Sequence, residues 1–356
     1  MRKMAVAQSL FAPTTLAQAI QRLGFVQADP IRAPARAQDL TLRHRVTGYQ
    51  AGDLEANYVA LGVEEDFFVN YGFVTPELYA LMHPRVVTSA RSAMVEKLGP
   101  AVLDFIRERG AVHPREVDAH FAHGSTTNAW GGQSSLSTHL LDSMQYRGIL
   151  RVAGRERGIR LYALPKIACE REDIRNADAT LDQMIDVLLN KYAPLPQKSL
   201  RPLLARLHHA TPQWRERLSA AVARVAAQAA QTTIDGATWF LPKGAQIPNE
   251  VDDEVRLLTP FDPVVWDRTR FEMLWGWAYR FEAYTPAAKR KLGYYALPML
   301  WRDQVIGWAN VSAQARGLSV QTGYASGAAP KDKKFKSAFN LECERMAEFL
   351  KLPGKT

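Results

Sequence analysis

Gln27-Ala28-Asp29 is the segment of this chain whose residue types and spacing best suit chemistry. An amide and a carboxylate two positions apart project to the same side of an extended backbone. Such a pair can hold one water molecule, the amide orienting it and the carboxylate drawing off its proton. The chain carries net charge +9, from 45 Lys and Arg against 36 Asp and Glu, so a bond in a polyanion such as DNA is the natural target. The same residues also fit a polar turn after a helix, because Asp29-Pro30 is a turn-forming dipeptide. Spacing alone leaves both readings open, and charge alone does not prove a nucleic-acid partner.

The elements that must position this island read as follows. Leu16, Ile20 and Leu23 recur at helical spacing, Thr14 or Thr15 caps the start, and Gly24 stops the helix. Residues 25–31 read as extended, and a more polar helix runs from Ala35 to about Arg45. With the helices expected up to His83-Pro84-Arg85, this makes a first segment, 1–85. In a second, 86–168, helices are expected at 101–109, 114–123 and 134–147, then two extended pieces around a turn at 154–158. Three helices and a hairpin, in about 65 residues, is the order of a winged helix-turn-helix. A third segment, 169–243, repeats the scheme less clearly, with helices at 181–192, 198–208 and 212–228 and an extended piece at 238–241. From 244 to 356 aromatics become dense and short β-rich runs are expected at 281–284, 294–300 and 305–309, closed by a helix at 332–350.

Bulk properties exclude several classes. A chain of 356 residues with 47% hydrophobic and 23% charged residues is globular rather than disordered. No stretch of about 18 uninterrupted apolar residues is present, which argues against a membrane span. The opening MRKMAVAQSLFAP is interrupted by Gln8 and Ser9 and reads as a helix rather than a leader. Cys169 and Cys343 are far apart with no His at metal spacing, so neither zinc nor a disulfide is expected and a reducing cytoplasm fits.

The run Leu23-Gly24-Phe25-Val26-Gln27-Ala28-Asp29-Pro30-Ile31, followed by Ala35-Arg36-Ala37, resembles the start of the winged-helix crosslink-repair DNA glycosylases, the YcaQ/AlkZ family. Val152-Ala153-Gly154-Arg155 with Tyr162-Ala163-Leu164-Pro165 is similar to that family's second wing. Residues 258–268, 279–284 and 289–295 resemble its C-terminal domain. The resemblance implies an α+β fold, with tandem winged helix-turn-helix units around a concave basic surface plus a C-terminal β-rich, barrel-like domain. It implies a monofunctional DNA glycosylase acting on N7-alkylated purines, including nitrogen-mustard-type crosslinks, with Gln27 and Asp29 in the catalytic motif. The expected partner is double-stranded DNA carrying alkylated bases, engaged by a monomer with no metal or cofactor. The chain departs from the family at Ala28, smaller than the usual branched residue, and at 65–71, where a Trp and His segment is missing. A family Arg and Asp are also absent near 307–311. A non-catalytic winged-helix DNA-binding protein or transcription regulator is the alternative.

Candidate DNA contacts lie outside the motif. Arg36, Arg43 and Arg45 follow it closely and could grip the backbone or line a solvated helix face. The Gly-rich loop 124–133 with Ser134 and Ser135 could hold a phosphate at a helix N-terminus, and lacks the Lys of an ATP loop. Trp130 there is either a stacking residue or a core plug. Arg151, Arg155, Arg157 and Arg160 cluster on the expected wing. Arg268, Arg270, Lys289, Arg290 and Lys291 form a further basic strip.

Overall fold

The helix Leu16–Leu23 delivers the chain to the motif. Thr15 caps it in a reciprocal capping box with Gln18, and Ala19, Ile20 and Leu23 form the buried face. Gly24 ends it at φ +66, and a Cβ there would lie 2.7 Å from Val187 Cγ1, so a larger residue would both strain and collide. The strand Phe25–Gln27 follows at once, with Phe25 and Val26 fully buried. The polar helix expected next is present as Ala37–Leu42.

The structure, a computed structural model, describes residues 1–87, 90–122, 124–127, 133–166, 177–242, 244–246, 250–314 and 317–352. Trp130 and Cys169 lie outside the described residues. The chain divides into two compact units, each discontinuous in sequence. Met1–Leu54, Asp182–Leu204 and Ala220–Thr356 form the first, and Glu55–Leu181 with Ala205–Ser219 the second. The four consecutive segments bounded at 85, 168 and 243 stand beside this partition as a proposal about motif order. Among the described residues no helix is long and apolar enough to cross a membrane.

In the first unit the opening helix, Arg2–Ser9, shares a core with the C-terminal third: Val6 and Leu10 pack with Leu258, Val264, Phe271 and Leu300. Val255–Leu257, Leu297–Trp301, Gln304–Gln314 and Gly317–Tyr324 form a four-stranded antiparallel meander. This sheet is open, which corrects the barrel expectation. Its edges need no closure because the helix Lys333–Phe349 covers them. Glu342 Oε1 accepts the Leu257 amide at 2.8 Å, and the Phe335 ring meets Trp301 at 5.3 Å and Tyr324 at 6.3 Å. Residues 281–284, expected to be β-rich, make a turn instead, and a helix capped by Asp267 occupies Arg268–Trp275. A smaller sheet joins Leu195–Pro196, Ala237–Leu241 and Ala230–Ile234. Its hairpin turns on Asp235-Gly236, both at positive φ as a tight two-residue turn demands.

The second unit contains, in order, Ala90–Arg109, the strand Ala111–Val112, Pro114–Phe121, Leu136–Tyr146 and the hairpin Arg151–Glu156/Ile159–Ala163. A short hairpin, Ser125–Thr127/Gln133–Ser135, precedes the last helix. Val102, Ile106, Val117, Leu140, Met144 and Tyr162 form the core between them. The larger hairpin turns on Arg157-Gly158, both at positive φ, so its strands run further than periodicity suggests.

Candidate active site

Phe25–Gln27 is held from behind by a buried cation. The Lys191 ammonium donates to the Phe25 carbonyl and lies 5.3 Å from the Phe25 ring centroid. Burial pushes its pKa down to about 7, Arg45 adding to the fall and Asp262 opposing it.

Gln27 is half-buried and its amide has a fixed orientation. The Trp266 indole Nε1 donates to Gln27 Oε1 at 2.9 Å. An indole N–H can only donate, so the amide oxygen must face Trp266 and the amide nitrogen is turned the other way. Trp266 in turn lies against Tyr192, ring centroids 5.1 Å apart. The loop carrying Trp266 is pinned by Asp262, whose carboxylate receives Arg45 in a two-point ion pair at 2.8 and 2.9 Å and also accepts the Val264 amide. Arg270, fully buried, donates to the carbonyls of Ala193, Pro194, Pro263 and Val264.

Asp29 lies beyond the end of the strand, so the alternation of an extended chain is not what places it. Its Oδ1 accepts the Ile31 amide at 2.9 Å, closing an Asx turn, and its own amide donates to Gln38 Oε1 at 3.3 Å. Among the described residues Oδ2 has no hydrogen-bond partner and no cation pairs with the carboxylate. Burial raises the Asp29 pKa, and the Ile31 hydrogen bond only partly opposes this. The Asp29 charge also reaches Tyr295, whose hydroxyl meets Thr259 Oγ1 at 3.1 Å. A half-buried carboxylate with one oxygen tied down, the other unused and a raised pKa has the properties of a proton acceptor. The turn reading and the chemical reading of this island are therefore compatible: the turn is what presents the carboxylate.

A family model described as DNA glycosylase AlkZ-like matches residues 20–349. The chain belongs to this family. The match spans the motif, the Trp266 loop and the aromatic segment 281–295, and supports a DNA glycosylase role in repair. No solved structure matches the chain.

The arginines expected to grip DNA are mostly engaged in internal contacts. Arg45, fully buried, also donates to the carbonyls of Ser9 and Thr41, so it braces the site rather than reaching phosphate. Arg43 is buried against Glu342. Arg36 is half-buried at the start of the helix Ala37–Leu42, where its charge acts on Asp39. In the second unit the segment that departs from the family, 64–66, captures the expected wing residues. Glu64 pairs with Arg151 at 2.9 Å and Glu65 with Arg155 at 2.5 Å, while Arg160 bonds Asp142 at 2.8 Å. These pairings share one cause: a desolvated guanidinium needs carboxylates or carbonyls as partners, and the sequence separation of those partners hides them. Ser135 is engaged as the cap of Leu136–Tyr146, accepting the Thr138 amide and donating to Asp118, and Ser134 sits in the preceding strand. Arg157, Arg268 and Lys289 are exposed and in no ion pair among the described residues, whereas Arg290 donates to the Thr285 carbonyl. Trp266 and Tyr295 have no signal in local spacing. They stood inside the family-like segments without an assigned part.

Proposed function

We propose that this chain is a monofunctional glycosylase that hydrolyses the N-glycosidic bond of N7-alkylated purines in duplex DNA, with Gln27 and Asp29 as its catalytic pair. The observation that carries the proposal is the half-buried Asp29 carboxylate, one oxygen held by the Ile31 amide and the other uncommitted among the described residues, two positions after an amide whose orientation is set by Trp266. An N7-alkylguanine already bears positive charge, so the base leaves as a neutral molecule with the electrons of its bond to C1′ and needs no general acid. Asp29 stabilises the oxocarbenium-like sugar electrostatically and takes the proton of the incoming water. Gln27 orients that water through its amide. The segments 1–85, 86–168 and 169–243 are read as winged-helix units that contact the duplex. Each bridged base in a mustard crosslink is itself an N7-alkylguanine, so the same chemistry extends to unhooking.

The test is incubation of the purified protein with duplexes carrying 7-methylguanine or a nitrogen-mustard crosslink, followed by alkaline cleavage. Strand scission at the modified guanine is expected. Sequence-specific affinity for undamaged DNA with no abasic product would replace the proposal with the non-catalytic regulator.

A further inference from the structure

Tyr284 is 82% exposed, far more than any other large apolar or aromatic side chain described. It stands on a braced turn rather than a loose loop. The Glu282 carboxylate accepts the backbone amides of Lys291, Leu292 and Gly293, at 2.7 to 3.3 Å. From the other side Arg290 donates to the Thr285 carbonyl at 2.8 Å, and Asn310 donates to the Leu292 carbonyl at 2.7 Å. Gly293, at φ +121, permits this approach, since a Cβ there would lie 2.3 Å from Asn310 Oδ1. The backbone that carries the ring is ordered before any partner arrives, so little backbone entropy is lost when the ring is covered.

The turn is continuous with the candidate active site. The Phe281 ring meets Tyr284 at 6.1 Å and the buried Tyr295 at 5.1 Å, and Tyr295 feels the charge of Asp29. Exposed Arg280 and Lys289 flank the same turn, each outside any ion pair among the described residues. An exposed aromatic face with unpaired cations beside it matches the π-face and phosphate of a nucleotide.

We infer that Tyr284 is a base-stacking residue, its ring lying against a nucleobase face laid open at the damaged step of duplex DNA. This rests on the glycosylase reading of the Asp29 site, and it adds a specificity contact outside the hydrolytic pair. The stacked ring would hold the distorted duplex open while the lesion sits at Asp29.

The experiment compares binding to a duplex carrying a tetrahydrofuran abasic-site analogue with binding to the intact duplex. Tyr284→Ala is expected to weaken binding to the analogue duplex about tenfold or more, with the melting temperature unchanged because the side chain is exposed. Tyr284→Phe is expected to keep wild-type affinity, which separates the ring from the hydroxyl. Wild-type affinity in Tyr284→Ala would overturn the inference, and so would an equal loss in Tyr284→Phe. Excision of 7-methylguanine by the wild type is read in parallel. Excision with an indifferent Tyr284→Ala removes the stacking alone, whereas no excision with a Tyr284-dependent affinity removes the hydrolytic reading and keeps the DNA contact.

Discussion

Trp266 and Gln27 meet through a 2.9 Å hydrogen bond although 239 positions of sequence separate them. The donor-only indole makes the orientation of the Gln27 amide a property of the fold rather than of the motif. A catalytic amide free to flip would offer a water its oxygen and nitrogen alternately, so the bond is a device for geometry.

Removing that bond should lower rate more than stability. In Trp266→Phe the stacking partner of Tyr192 is kept and the N–H is lost. Single-turnover excision of 7-methylguanine is expected to slow about 10- to 100-fold, with substrate affinity and melting temperature close to wild type. An unchanged rate would show that the amide needs no anchor.

Asp29→Asn should separate activity from stability. Excision is expected to fall about 10²- to 10⁴-fold while DNA binding persists. Burial raises the Asp29 pKa above its unfolded value, so the folded state holds the proton more tightly and ionisation at neutral pH works against folding. Asn, which can still accept the Ile31 amide, removes that penalty. The urea midpoint at pH 7 should therefore stay level or rise, and a fall in both activity and midpoint would make Asp29 structural.

The same shift fixes the acid limb of the rate profile. The carboxyl must be ionised to accept a proton, so excision should rise with pH through an apparent pKa above that of an ordinary Asp, about 3.9. Single-turnover rates between pH 4 and 8 measure it. A midpoint at or below the ordinary value would contradict the burial.

Arg45 and Asp262 are both fully buried, so Asp262→Ala leaves an uncompensated guanidinium and should cost about 3–5 kcal/mol in urea denaturation. Arg45→Met should leave the salt dependence of DNA binding unchanged, because no phosphate contact is removed. A shallower salt slope would return Arg45 to the DNA surface.

Asp66 contributes to acid stability in the second unit. Burial alone would raise its carboxyl, but Arg85 and His83, at 2.9 and 2.5 Å, outweigh burial and hold it at about 2. A depressed carboxyl contributes stability that is complete above its unfolded pKa and is lost as pH falls towards the folded one. Wild-type stability should drop by about 2 kcal/mol from this group between pH 4 and pH 2. In Asp66→Asn, destabilised from the outset, that slope should flatten when midpoints are followed against pH.

The helices 16–23, 114–121 and 333–349 were readable because apolar periodicity, capping residues and terminal glycines act within a few positions. The closing strand Gly317–Tyr324 was not, since its polar, half-exposed pattern carries little apolar alternation. The wing arginines were visible as a cluster, but their carboxylates, Glu64 and Glu65, lie some 90 positions away and leave no trace in local spacing.

The amino-acid order by itself determined that an amide and a carboxylate stand two residues apart after a stopped helix, in a basic chain with the motif pattern of a glycosylase family. Only the tertiary structure decided which way Gln27 faces, that Asp29 keeps one oxygen uncommitted, and which arginines are left for solvent. The division follows from range. Turns and caps are settled by neighbours in sequence, whereas desolvation and pairing of charge depend on groups that the chain brings together only when it folds.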